Sequence, residues 1–167
     1  MSKKMKITVI SASVVGVALI VALSVWLVSV FKKSGGESTG NAEIAVENVT
    51  ANAGKTVKVP VTISGNPGVM GIMFELDYDS DKLEYISFSK GSVVTDCEVN
   101  DNGGKITVVI VEDNDVKKNG TIADFSFRVK SGASGKADIK LNNINMCNYN
   151  EETVNAEAVS GGVTVKK

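Results

Sequence analysis

Gly71-Ile-Met-Phe-Glu-Leu-Asp-Tyr-Asp-Ser-Asp-Lys-Leu-Glu84 is the stretch on which the fold turns. Its first half puts Ile72, Phe74, Leu76 and Tyr78 at every second position, with Met73, Glu75 and Asp77 between them. A strand, whose successive side chains point to opposite faces, gathers those four on one surface; a helix at 3.6 residues per turn scatters them. The second half is a turn. Asp79 can bond the backbone amides that follow it while Tyr78 and Leu83 flank it in the core.

Working outward, the same period of two recurs at Ile44 and Val46 and at Val57, Val59, Val61 and Ile63. It continues over Leu83–Phe88, Val93–Val99, Ile106–Val111, Ile122–Val129, Ala137–Leu141 and Val159–Val165. Turn-forming clusters separate these runs, among them Asn52-Ala-Gly54, Asn66-Pro-Gly68, Asp101-Asn-Gly-Gly104, Lys118-Asn-Gly120 and Ser131-Gly-Ala-Ser-Gly135. Nine strands with no helical segment among them point to an all-β fold, an antiparallel sandwich over residues 42–167. Pro60 lies within the second run and is expected on an edge strand, where a missing N–H leaves nothing unpaired.

Upstream the pattern differs. Residues 1–6 are basic, and Ile7–Phe31 form 25 consecutive residues without a charge, longer than the roughly 20 that cross a bilayer as a helix. A signal peptide has a shorter apolar run and a small-residue cleavage pattern, whereas this run ends in Phe31-Lys32-Lys33, so a retained transmembrane helix over residues 7–31 is expected. Trp26 and Phe31 suit the membrane interface. Lys3, Lys4 and Lys6 outnumber Lys32 and Lys33, which favours the N-terminus inside and the domain on the extracellular side of the cell membrane. Residues 32–41, polar and glycine-rich, read as a flexible linker.

Charge and composition exclude several functions. Of 19 acidic residues only Glu37 lies before residue 42, leaving 18; of 18 basic residues Lys3, Lys4, Lys6, Lys32 and Lys33 do, leaving 13. The domain therefore carries five net negative charges, and its basic residues are scattered, which argues against nucleic acid. There is no histidine, so neither the commonest general base nor the commonest transition-metal ligand is present. Cys97 and Cys147 can be read as a disulfide or as two small buried hydrophobes. Asp77-x-Asp79-x-Asp81 begins like a calcium loop, but Lys82 and Phe88 occupy the places where such a loop needs Gly and Glu. Glu112-Asp-Asn-Asp115 supplies too few oxygens for calcium and reads as a solvated loop. Glu75 and Glu112 lack any signal of a glycosidase pair. Asn48-Val-Thr50 and Asn119-Gly-Thr121 have the sequon pattern. No catalytic residue, metal ligand or cofactor is expected.

Four segments together resemble one family. Asn52-Ala-Gly-Lys-Thr-Val-Lys-Val-Pro-Val-Thr-Ile63, the stretch Gly71–Glu84, Phe125-Ser-Phe-Arg-Val-Lys-Ser-Gly-Ala-Ser-Gly135 and Gly161-Gly-Val-Thr-Val165 resemble, in that order, the cohesin domains of cellulosomes. The resemblance implies a nine-stranded jelly roll and a non-catalytic, cell-surface function: docking a dockerin-bearing enzyme or scaffoldin, with any calcium on the dockerin and the cohesin a monomer. It further implies a flat binding face built from strands three, five and six. Alternation then turns Gly71, Met73, Glu75 and Asp77 outward on strand three, and Thr107, Val109 and Val111 outward on strand six. Met73, Val109 and Val111 would form an exposed apolar patch, with the acidic Glu112 and Asp113 at the strand end meeting the partner. Gly71 and Met73 stand where well-studied cohesins carry Asn and Asp. Two other classes compete: a carbohydrate-binding module, which needs exposed aromatic platforms although the only tryptophan is Trp26, and an adhesion or envelope-structural sandwich.

Overall fold

Alternation becomes two facing sheets in the computed structural model of the protein, which describes residues 41–166. The strands are β1 Asn41–Val46, β2 Asn48–Asn52, β3 Thr56–Ser64, β4 Val69–Tyr78, β5 Leu83–Lys90, β6 Glu98–Asp101, β7 Lys105–Val116, β8 Gly120–Val129, β9 Gly135–Cys147, β10 Asn155–Val159 and β11 Gly161–Lys166. One sheet has the order β10-β1-β3-β8-β5 and the other β2-β11-β9-β4-β7-β6. Phe74 of the six-stranded sheet and Phe125 and Phe127 of the five-stranded one are fully buried between them. Burying one such side chain contributes about 1.5–3 kcal/mol. Tyr78 tilts against Phe127 with ring centroids 5.2 Å apart, joining the sheets near the turn that follows β4.

Nine runs yield eleven strands because the first and last change sheets. β1 lies in the five-stranded sheet and β2, one residue later, in the six-stranded sheet; β10 and β11 make the same passage at Ser160. They travel together, so β1 pairs with β10 and β2 with β11 in parallel. The antiparallel sandwich expected from the sequence is corrected by these two parallel pairs. Where the two runs pass, Gly161 lies so close to β1 that a Cβ on it would stand 2.1 Å from the Val46 carbonyl oxygen.

Two other expectations are corrected. Of the fifth region, Val93–Val99, only Glu98 and Val99 are strand, the start of β6; Val93, Val94 and Cys97 precede it as a connection and fill the core. There the chain crosses from β8, whose Thr121 carbonyl accepts the Val93 amide, toward β7, and apolar content without ladder pairing mimics a strand. Pro60 sits on an interior strand, since β3 lies between β1 and β8. It is tolerated because the β1 pairing stops at Val46–Val61, and beyond it only the Pro60 carbonyl is used, accepting the Glu47 amide at 3.0 Å.

The segments assigned from sequence to residues 1–6, the membrane helix at 7–31 and the linker lie outside the described residues, apart from Asn41. Among the described residues no helix is long and apolar enough to cross a membrane.

Gly161→Ala forces a methyl group onto backbone that cannot swing aside. We expect a loss of about 1–3 kcal/mol, read as a lower urea midpoint at unchanged slope; a wild-type midpoint would show that the crossing yields.

Candidate functional site

Alternation holds where β4 meets β7. Ile72, Phe74 and Leu76 and, across the ladder, Ile106, Val108 and Ile110 belong to the core. Their neighbours face the other way, and register aligns them pairwise: Gly71 with Val111, Met73 with Val109, Glu75 with Thr107. Seven of the nine residues proposed from sequence, with Asp77 opposite Lys105, thus share one strip on the outer face of the six-stranded sheet.

β9 adds a column that the sequence reading missed. Asn142 lies beside Glu75, Asn145 beside Met73 and Cys147 beside Gly71. Between Asn142 and Asn145 the strand carries one extra residue, a bulge in which Asn143 adopts φ 51°. Asparagine tolerates that left-handed geometry better than most residues. The bulge resets the alternation so that Ile144 and Met146 pack toward the core while Asn145 and Cys147 turn outward.

Accessibility corrects the expected greasy plane. Met73 is 8% exposed and Val109 2%, although neither belongs to the core cluster. Each is flanked on both sides: Met73 by Val109 and Asn145, Val109 by Met73 and Glu98. What the strip offers is a tightly packed floor with Thr107 and Val111 half-buried.

Its other half is polar and internally paired. Glu75 Oε2 accepts hydrogen bonds from Lys105 Nζ at 2.8 Å and Asn143 Nδ2 at 2.6 Å. Asp77 accepts from Asn142 Nδ2 at 2.8 Å and lies 3.6 Å from the same lysine. The Lys105 hydrogen bond, aided by Asn143 against a desolvation cost, holds the Glu75 carboxyl below its ordinary value.

Glu112 is a second correction. It is 6% exposed, and its two oxygens accept the Thr95 amide and the Thr95 hydroxyl, each at 2.6 Å. Counting on from Ile110, alternation itself turns Glu112 inward. It clamps the connection leading into β6 and is not displayed to a partner. Asp113 is displayed: β4–β7 pairing jumps from Gly71–Val111 to Val69–Val116, so residues 112–115 leave the ladder, with Asp113, Asn114 and Asp115 exposed.

Other candidates resolve simply. Asp79 binds its own turn, accepting the Asp81 amide and pairing with Lys82 at 3.0 Å, an ion pair that lowers its pKa. Tyr78 and Leu83 flank it in the core. Among the described residues no group of three or more His, Cys, Asp or Glu is arranged to hold a metal. Cys97 and Cys147 are both free and buried; burial pushes the Cys97 thiol up to about 12 and raises that of Cys147. The exposed large apolar side chains of the described residues are Ile86, Tyr149 and Val159, so a single ring faces solvent freely and no aromatic row exists for sugar stacking.

A profile of the cohesin domain matches residues 42–165, the whole of this sandwich. The chain belongs to the cohesin family. It is 34% identical over 100 residues to cellulose-binding protein A of Clostridium cellulovorans, covering 55% of this chain and 5% of that one. Against cellulosomal-scaffolding protein A of Acetivibrio thermocellus it is 30% identical over 121 residues, covering 63% and 6%. The chain thus spans about one twentieth of the length of these relatives. Among solved structures it is similar to the sixth cohesin of Acetivibrio cellulolyticus scaffoldin B, solved in complex with a mutant Cel5 dockerin. The TM-score is 0.72 at 27% identity, with 75% of this chain and 99% of that one covered.

Because the folded Glu75 is more acidic than its unfolded form, its stabilisation is complete above about pH 4.5 and disappears as pH falls through the lower folded value. Urea midpoints between pH 5 and 3 should therefore fall less steeply for Glu75→Gln than for wild type, by about 0–1 kcal/mol given partial exposure; parallel curves would show that the pair contributes nothing. Glu112→Ala removes both acceptors of Thr95 and should cost about 1–3 kcal/mol, with faster amide exchange over residues 93–99, whereas Glu112→Gln should recover much of the loss.

Proposed function

We propose that this cohesin domain is a non-catalytic docking module that receives a dockerin on the outer face of its six-stranded sheet, serving polysaccharide degradation. The observation that carries the reading is the contiguous strip formed by Gly71, Met73, Glu75 and Asp77 against Thr107, Val109 and Val111, on a domain whose similar structure was solved with a dockerin. The strip is flat because strand side chains form it, and its floor is already close-packed, so a partner meets a rigid surface that need not order on binding. Docking requires no chemistry from this chain. Asp113 and the half-buried Thr107 and Val111 remain accessible for contact, while Glu112 holds the neighbouring connection in place.

The chain acts at the cell surface in this reading, as a monomer held by the uncharged segment Ile7–Phe31 with the domain outside. A single span followed by a glycine-rich linker lets the domain reach partners beyond the membrane. Protease added to intact cells should remove the domain and leave a membrane-bound remnant; protection of the domain until lysis would overturn that placement.

The docking reading is tested by passing a panel of recombinant calcium-loaded dockerins over the full-length chain held in detergent. At least one should bind and be released by chelator, since the calcium is expected on the dockerin. Val111→Asp, which sets a charge on the strip opposite Gly71, should weaken that binding by at least tenfold while leaving the urea midpoint nearly unchanged. No binding across the panel would remove this function.

A further inference from the structure

Tyr149 is the most exposed large apolar side chain among the described residues, at 59%. It sits on the loop after β9, at the end of the docking strip where Cys147 faces Gly71. A solitary exposed ring usually means little. This one is held by a loop with unusually complete internal bonding.

Every backbone amide from Asn148 to Glu152 is engaged. Asn148 N donates to the Glu152 carbonyl and Glu151 N to the Asn148 carbonyl, both at 3.0 Å. The Asn148 side chain, buried, accepts from the amides of Asn150 and Glu152 at 3.0 and 2.9 Å, and its Nδ2 donates to Glu152 Oε2 at 2.7 Å. Glu151 takes φ 63° to close the turn. Tyr149 N donates to Asp115 Oδ1 at 2.7 Å, tying the loop to the excursion that leaves β7 beside Val111. Two segments distant in sequence are thereby fastened together at one end of the strip, with Tyr149 as the apolar projection and the exposed acidic Asp113 and Glu151 each two residues along the chain from one member of the bonded pair.

We infer that Tyr149 is the anchor by which this face selects its dockerin. The inference rests on the docking reading above and adds a residue that the strip itself does not contain. A tyrosine whose backbone is fixed before contact brings large apolar area with only its own side-chain rotamer left to order, and tyrosines are among the residues that dominate binding energies. The two acidic residues state the partner's chemistry. It is a dockerin presenting an apolar recess for the ring, bordered by lysine or arginine side chains.

The test uses the full-length chain in detergent and whichever dockerin of the panel binds the wild type most tightly. Tyr149→Ala should raise Kd by 10- to 100-fold, mainly through faster dissociation, and narrow the spread of affinities across the panel. Tyr149→Phe should stay within about threefold if the ring is what matters. Asp115→Ala, which frees the Tyr149 amide, should weaken binding by a smaller factor that Asp115→Asn restores. In the Tyr149→Ala background Asp115→Ala should add almost nothing, because the aspartate acts through the tyrosine. A Tyr149→Ala variant that binds within twofold of wild type, while Val111→Asp abolishes binding, overturns the anchor and leaves the docking face intact. A wild type that binds no dockerin removes both.

Discussion

The register between β4 and β7 is the constraint on which the rest depends. With side chains alternating at every residue, pairing Phe74 with Val108 commits Ile72, Leu76, Ile106 and Ile110 to the core and, by the same act, Met73, Glu75, Val109 and Thr107 to the outer face. A slip of one residue in either strand would carry its apolar set to solvent and its polar set into the core. The cost of burying Glu75 and Asp77 unpaired makes that slip prohibitive. Core and outer strip are therefore two readings of one register, and neither can change without the other.

A second constraint acts at the opposite edge of the same sheet. The passage of β1–β2 and β10–β11 from one sheet to the other ties the layers together covalently and places the first and last strands side by side. That passage needs Gly161 against the Val46 carbonyl, a contact no side chain could share. Backbone proximity there does not touch the outer strip. It fixes β11 beside β9, however, and β9 in turn supplies the column of Asn142, Asn145 and Cys147.

How far the sequence discloses this arrangement depends on which property each residue expresses. Period-two runs reveal the strands and their inner faces because burial acts on every second residue. The changes of sheet do leave a trace, a shift in parity of the inward positions from Ile44 and Val46 to Val49 and Ala51 across Glu47, and from Ala156 to Val163 and Val165 across Ser160, but small residues and glycines make it faint. Val93, Val94 and Cys97 look like strand because core burial, not ladder pairing, is what apolar residues report. The bulge at Asn143 was hidden for another reason: a left-handed residue inside a strand is compatible with asparagine but not demanded by it. Glu112 is the instructive case. Its position, two residues beyond Ile110, already turned it inward; its charge suggested an outward role, and position proved the better guide.

The corrected exposure of Met73 and Val109 changes what kind of surface the proposed docking face is. An open apolar plane would gain affinity by burying its own floor, and it would be equally open to nonspecific association. Here the floor is closed by its neighbours, and much of the polar half is committed to the Glu75, Lys105 and Asn143 network. A surface already satisfied within itself has little to offer by area alone, since buried area does not convert directly to affinity. Discrimination must then fall to the few groups that remain unsatisfied or projecting at its margins. Those margins are formed by the excursion carrying Asp113 and Asp115 and by the loop carrying Tyr149, which the Tyr149 amide fastens to each other.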